Sequence, residues 1–130
     1  MIEFRIARRE ALPAYLQIVE QTRQSLEHGR LAVGDQLPTA REVVSTTGIN
    51  PNTVLKAYRE LERQGLVEGR VGTGTFVTAD LARLQSDLTS PLAADLRGWL
   101  DEAVAAGMGR HEVVALVNTM MDEREKGMVR

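Results

Sequence analysis

Residues 39–61 read Thr39-Ala40-Arg41-Glu42-Val43-Val44-Ser45-Thr46-Thr47-Gly48-Ile49-Asn50-Pro51-Asn52-Thr53-Val54-Leu55-Lys56-Ala57-Tyr58-Arg59-Glu60-Leu61, and this stretch decides the fold. Thr39 with Glu42 three residues on is a capping box, so a helix is expected to start at Thr39. It is short. Val43 and Val44 face inward, and Thr46-Thr47-Gly48 ends it after about two turns. Asn50 then offers an N-cap and Pro51 sits at the first helical position, where a missing N–H costs nothing and φ is already set. In the helix that follows, Val54, Ala57, Tyr58 and Leu61 fall at i, i+3, i+4 and i+7, a single apolar stripe that runs until Gly65. Two helices joined by a short turn, the second amphipathic, make a helix-turn-helix pattern.

The flanks extend this reading. Upstream, Pro13 opens a helix whose apolar positions are Tyr15, Ile18, Val19, Thr22 and Leu26, and Gly29 stops it. Gly34-Asp35 reads as a turn. Downstream the period changes to that of strands. Leu66-Val67-Glu68 and Thr75-Phe76-Val77 are short β-prone runs, and the glycines of Gly69-Arg70-Val71-Gly72-Thr73-Gly74 suit a hairpin between them. The order helix, helix, turn, helix, hairpin within residues 12–78 is a winged helix. After Val77 the chain turns wholly helical. Leu81, Leu84 and Leu88 mark a short connecting helix. Ser90 as N-cap and Pro91 open a stronger one carrying Leu92, Leu96, Trp99, Leu100, Ala103 and Val104. Gly107 and Gly109 break it, and a last helix carries Val113, Val114, Leu116, Val117, Met120 and Met121 before a charged end. The expected fold is therefore an α+β winged helix-turn-helix domain, three helices plus a β-hairpin wing, over residues 1–78. A small all-α helical dimerisation domain is expected over residues 79–130.

Composition sets the outer bounds. The chain has 130 residues and a net charge of −2. Split into two halves of about 65 to 80 residues, each half would be marginal alone and would want a partner. Residues 1–78 hold ten Lys/Arg against nine Asp/Glu, and residues 79–130 hold six against nine, so the first half is the less acidic one. Sequence-specific DNA binding needs a local basic patch, not a basic protein. No cysteine is present, which excludes disulfides, thiolate metal sites and cysteine nucleophiles. No apolar run approaches the roughly 18 residues of a membrane span, and no secretory leader is visible, so a cytoplasmic location without membrane association is expected.

The chemistry lies on the second helix of the motif. With its apolar stripe buried, the opposite face presents Asn52, Lys56, Arg59 and Arg63, with Thr53 at the flank. The second helix of such a motif enters the major groove by its N-terminal residues. Asparagine can pair with adenine, and lysine can reach guanine or phosphate. Free N–H groups at the helix start also attract a phosphate. Gly72-x-Gly74 lacks a third glycine and lies between strands, which argues against a dinucleotide site. His28 and His111 are far apart and read as surface or helix-end residues, so neither a metal nor a cofactor is expected. Tyr15 and Trp99 read as core or interface aromatics. No nucleophile–base–orienter set is apparent, so an enzyme is not expected.

The blocks Leu37-Pro38-Thr39-Ala40-Arg41-Glu42, Thr53-Val54-Leu55-Lys56-Ala57-Tyr58 and Gly72-Thr73-Gly74-Thr75-Phe76-Val77, with Pro13, Tyr15, Gln17 and Ile18 upstream, resemble the GntR family of bacterial regulators. The correctly spaced match spans about 65 residues. The short helical tail resembles the YtrA subfamily, whose members often control operons for ABC transporters. The resemblance implies that Arg41 faces DNA and that Asn50, Asn52 and Thr53 start the recognition helix. Lys56 falls at a position commonly basic, and Gly72 at the wing tip beside the minor groove. Arg59, Arg70 and Thr73 complete the candidate DNA-binding set. The chain departs from the commoner pattern at Pro51 and Leu55, arginine in several members, and at Thr73, often lysine.

The tail's apolar stripes exceed what two helices can bury against each other. Leu92, Leu96, Trp99, Leu100, Val113, Leu116, Val117 and Met120 are the candidate homodimer interface, a two-fold pairing being the commonest solution. The expected function is a transcription regulator, a repressor, bound as a dimer to a pseudo-palindromic double-stranded DNA operator. Two other readings stay open: a winged-helix protein-interaction module, which an apolar recognition face would favour, and a regulator gated by an effector of unknown identity at the dimer interface.

Overall fold

The computed structural model describes residues 2–8 and 11–129. Helices α1 (Ala14–Glu27), α2 (Ala40–Thr47) and α3 (Pro51–Arg63) precede a hairpin of β1 (Val67–Arg70) and β2 (Gly74–Val77). Helices α4 (Leu81–Asp87), α5 (Pro91–Ala105) and α6 (Arg110–Val129) follow. The chain forms two compact units, Met1–Ser86 and Asp87–Arg130.

The first unit is a winged helix. Ile18, Leu26, Val43, Val54, Ala57 and Leu61, contributed by all three helices, are almost wholly excluded from solvent, and Leu66, Val67 and Val77 bring the base of the hairpin into the same core. The hairpin is antiparallel, pairing Val67 with Val77 and Arg70 with Gly74. Pairing therefore continues through three residues expected to lie in the turn, Gly69, Arg70 and Gly74. The backbone of Gly69 and Arg70 is extended, and only residues 71–73 form the loop. The division between these compact units falls at Ser86. Leu81 at the start of α4 is buried with the winged-helix core and carries α4 into the first unit.

Two backbone segments with no helix or strand period complete this unit. Residues 34–37 run beside β2 as a partial third strand: Gly34 N–H donates to Val77 O (2.9 Å), Val77 N–H to Asp35 O (2.8 Å) and Leu37 N–H to Thr75 O (2.8 Å). The N-terminal segment is held on α1 by two glutamines one turn apart. Gln21 accepts from Arg5 N–H (3.0 Å) and donates to Arg5 O (2.7 Å). Gln17 accepts from Ala7 N–H (2.8 Å) and donates to Ala7 O (2.9 Å) and Leu12 O (2.8 Å). Each amide side chain satisfies a backbone pair as a neighbouring strand would, and Phe4 is buried as a result.

The second unit is all-α. Ser90 caps α5 by accepting from Ala93 N–H (3.2 Å), with Pro91 at the first helical position. Gly107, at φ 90°, turns the chain toward α6. The helices touch little, and Ala103 is buried whereas the larger apolar side chains are not. Leu100 and Val113 are half-buried. Leu92, Leu96, Trp99, Leu116, Val117 and Met120 are exposed, Leu92 by 79%. Among the described residues no helix is long and apolar enough to cross a membrane.

Candidate nucleic-acid interface

Local capping sets the angle between α2 and α3. Thr39 Oγ1 accepts from Glu42 N–H (3.1 Å), which starts α2. Glu42 does not reach back to the Thr39 backbone as a full capping box requires. Its carboxylate accepts from the Thr39 hydroxyl instead (3.1 Å). Gly48 ends α2 in the left-handed region at φ 73°, a conformation that strains side chains bearing a Cβ. Asn50 then starts α3, its Oδ1 accepting from Asn52 N–H (2.8 Å), with Pro51 at the first helical position. Tyr58 fixes the two helices from inside: its buried hydroxyl donates to Pro38 O at 2.6 Å. Burial, then the negative charge of Glu42, pushes the Tyr58 pKa well above its ordinary 10.0.

With Val54, Ala57, Tyr58 and Leu61 buried, the start of α3 presents a polar surface. Asn50 and Asn52 are exposed and Thr53 is half-buried in the first turn, Lys56 is one turn on, and Arg59 lies beyond it. Lys56 Nζ sits 4.0 Å from the centroid of the Tyr15 ring at the start of α1, so its ammonium is restrained over an aromatic face. Arg41 is exposed in the first turn of α2 and joins no ion pair among the described residues. Arg63, on the same face in sequence, is otherwise engaged. It grips Glu60 with two bonds (Nε to Oε2, 2.9 Å; Nη2 to Oε1, 2.5 Å), and that hydrogen bond holds its pKa above the usual value.

The wing brings a second surface beside the start of α2, with Thr39 and residues 69–75 lining one shallow depression. Its turn closes through Thr73 N–H to Arg70 O (3.0 Å). Gly72 and Gly74 have φ of 74° and 132°, so both use the conformational freedom of glycine. Thr73 is exposed at the tip. Arg70 is exposed too, yet its guanidinium lies 4.5 Å over the Phe76 ring and 3.8 Å from the Glu68 carboxylate. Gln36, which the sequence reading passed over, lies under this loop. Its Nε2 donates to Thr73 O (3.1 Å), and its backbone bridges to Phe76. Its only local signal was the short spacing between Gly34 and Pro38, which forces an extended connection. Among the described residues no group of three or more His, Asp or Glu could hold a metal.

The family described as "Bacterial regulatory proteins, gntR family" matches residues 14–77, from the first residue of α1 to the last of β2. The chain is 36% identical over 111 residues to the uncharacterized HTH-type transcriptional regulator YhcF of Bacillus subtilis, spanning 85% of this chain and 91% of YhcF. It is 43% identical over 70 residues to the HTH-type transcriptional repressor YtrA of the same organism, 54% of each chain. Among solved structures, the DNA-binding domain of AraR in complex with operator ORX1 superposes with a TM-score of 0.53 at 26% identity, covering 60% of this chain and all of that one. YhcF and YtrA are named as transcription regulators, not enzymes, and the capped helix pair and glycine wing lie inside the matched region. The chain belongs to the GntR family of DNA-binding bacterial transcription regulators, in its YtrA-like branch.

Proposed function

We propose that this protein is a homodimeric repressor that occupies a pseudo-palindromic operator and blocks the promoter it covers. The observation that carries the reading is the exposed polar start of α3, formed by Asn50, Asn52, Thr53, Lys56 and Arg59 around a helix N-terminus whose other face is core. That end enters the major groove, Arg41 meets the DNA from the first turn of α2, and Gly72 and Thr73 approach the minor groove. Leu55 is the one large apolar side chain exposed on α3, too little to make this a protein-docking face. Dimerisation is supported by α5 and α6, whose exposed Leu92, Leu96, Trp99, Leu116, Val117 and Met120 form apolar surface that a second copy would cover together with Leu100 and Val113. Two copies would set their recognition helices about 34–36 Å apart, one turn of DNA. The repressor role rests on the name of the YtrA relative.

The test is a binding titration against duplex from the gene's own upstream region and against a scrambled duplex, with light scattering on the same samples. A dimer that prefers the upstream duplex by about 10³-fold or more is the expected result. Equal affinity for both duplexes, or a monomeric complex, contradicts it.

A further inference from the structure

Val71 has nothing packed on it. At 104% relative exposure it is the most exposed large apolar side chain described, and it stands at the outer end of the wing. An isolated exposed valine is unremarkable on a flexible loop, but this loop is held on three sides. Its turn is closed by Thr73 N–H to Arg70 O. Gln36 donates to Thr73 O from beneath. The Gln36 amide also fills the space a Cβ on Gly74 would need. The segment that carries Gln36 is itself bonded to β2 through Gly34, Asp35 and Leu37.

The wing's charge is directed elsewhere. Arg70 is the only cation between residues 67 and 77. Positions two apart on a strand share a face, so Glu68 and Arg70 lie on one side of β1, and Phe76, paired with Glu68, lies on the same side of β2. The Arg70 guanidinium is accordingly drawn back over Phe76 and toward Glu68. What projects from the wing is Val71-Gly72-Thr73, uncharged.

We propose that the wing meets DNA through this uncharged tip, with Val71 packing against the deoxyribose walls of the minor groove and Gln36 acting as the positioning residue that holds it there. The inference rests on the docking proposed above and adds to it a division of labour. The α3 end and Arg41 supply the contacts made by charged and polar side chains. The wing supplies a contact that senses groove width and is indifferent to salt, since a valine displaces no counterions.

Four variants measured on the same operator duplex at several salt concentrations test this. Val71→Ala removes two methyl groups from the contact and is expected to weaken binding roughly five-fold, on the scale of apolar burial, with the slope of log K against log salt unchanged. Val71→Lys is expected to steepen that slope by about 0.9, the increment of one new phosphate contact. Arg70→Met, which keeps an apolar stem over Phe76, is expected to leave the slope as it is. Gln36→Ala is expected to weaken binding in the wild-type background and to add nothing in the Val71→Ala background. A purely structural role for Gln36 would instead give losses that add. Wild-type affinity for Val71→Ala overturns the proposal, and so does a slope reduced by about 1 in Arg70→Met, which would put that guanidinium on a phosphate. Val71 is fully exposed, so its variants fold. A wild-type protein that fails to prefer its operator would sink the docking itself, an outcome separate from every one of these.

Discussion

The Tyr58 hydroxyl donates to the carbonyl of Pro38 across 2.6 Å inside the core, joining the middle of the recognition helix to the residue just before the capping threonine of α2. Both ends are buried. The bond therefore sets how far α3 projects beyond α2, which is the quantity a helix-turn-helix must hold constant to fit a groove.

Replacing Tyr58 by Phe keeps the ring and leaves the Pro38 carbonyl without this donor. A loss of about 1–3 kcal/mol in unfolding free energy is expected. The variant should also change the alkaline limb of stability. Burial raises the Tyr58 pKa in the folded state above the 10.0 of an exposed tyrosine. Below that pH both states are protonated. Above it only the unfolded chain releases the proton, so stability declines as pH rises. Denaturant titrations between pH 8 and about pH 11 are expected to show a shallower decline in Tyr58→Phe than in the wild type. Parallel curves would mean that Tyr58 does not contribute to the alkaline decline.

Gly74 has φ 132°, a conformation strained for any residue with a Cβ, and the end of the Gln36 side chain stands where that Cβ would lie. Gly74→Ala is expected to displace the Gln36 amide from Thr73 O and strain the wing turn, weakening operator binding by about ten-fold or more while costing the fold only about 1–3 kcal/mol, the scale of a single strained backbone position. Amide exchange at Thr73 and Thr75 should rise with it. Unchanged exchange and unchanged affinity would show that the clamp plays no part in binding.

On α6, Val117 is 43% exposed and sits beside Leu116 on the apolar surface assigned to the dimer. Val117→Asp places an uncompensated charge there. The variant is expected to be monomeric at micromolar concentration by light scattering, and its operator affinity should fall because two linked contacts become independent ones. A variant that stays fully dimeric moves the interface away from this face.

Arg41 and Lys56 differ in surroundings, and so should their variants. Arg41 joins no ion pair among the described residues, and its planar fork suits a guanine edge. Arg41→Ala is expected to cost about 1–3 kcal/mol on the operator and to relax preference at one base position. Lys56, restrained over Tyr15, is placed as a point charge for a phosphate. Lys56→Ala is expected to weaken operator and scrambled duplex alike and to lower the salt slope by about 1. Equal losses on both duplexes for Arg41→Ala would remove it from base reading.

The elements legible in the sequence are those whose signals are local. Thr39, Gly48, Asn50 and Pro51 each act within three residues of themselves, so the ends of α2 and the start of α3 follow from chain order alone. The buried stripe of α3 follows from its period, and the polar set around Asn52 and Lys56 is its complement. Contacts between distant segments left no such trace. Gln17 and Gln21 lie on the helical period of α1, yet nothing nearby in sequence says that they bind residues 5 and 7. Gln36 resembles any polar loop residue until the hairpin folds over it. Arg70 carries charge near the wing tip, and only the pairing of β1 with β2 reveals the Phe76 ring and Glu68 on its side. The extent of the wing strands was also hidden, since glycine at 69 and 74 argues locally for a turn while both are paired across the hairpin.

Selection of bound sequences from a pool of random duplexes, using the full chain, tests the central assignment most directly. Two capped recognition helices carried by one symmetric dimer are expected to enrich an inverted repeat whose half-site centres lie about 10–10.5 base pairs, or a multiple of that, apart. A pool that shows no enrichment, or one that converges on a single site without two-fold symmetry, would contradict a dimer reading an operator through α3.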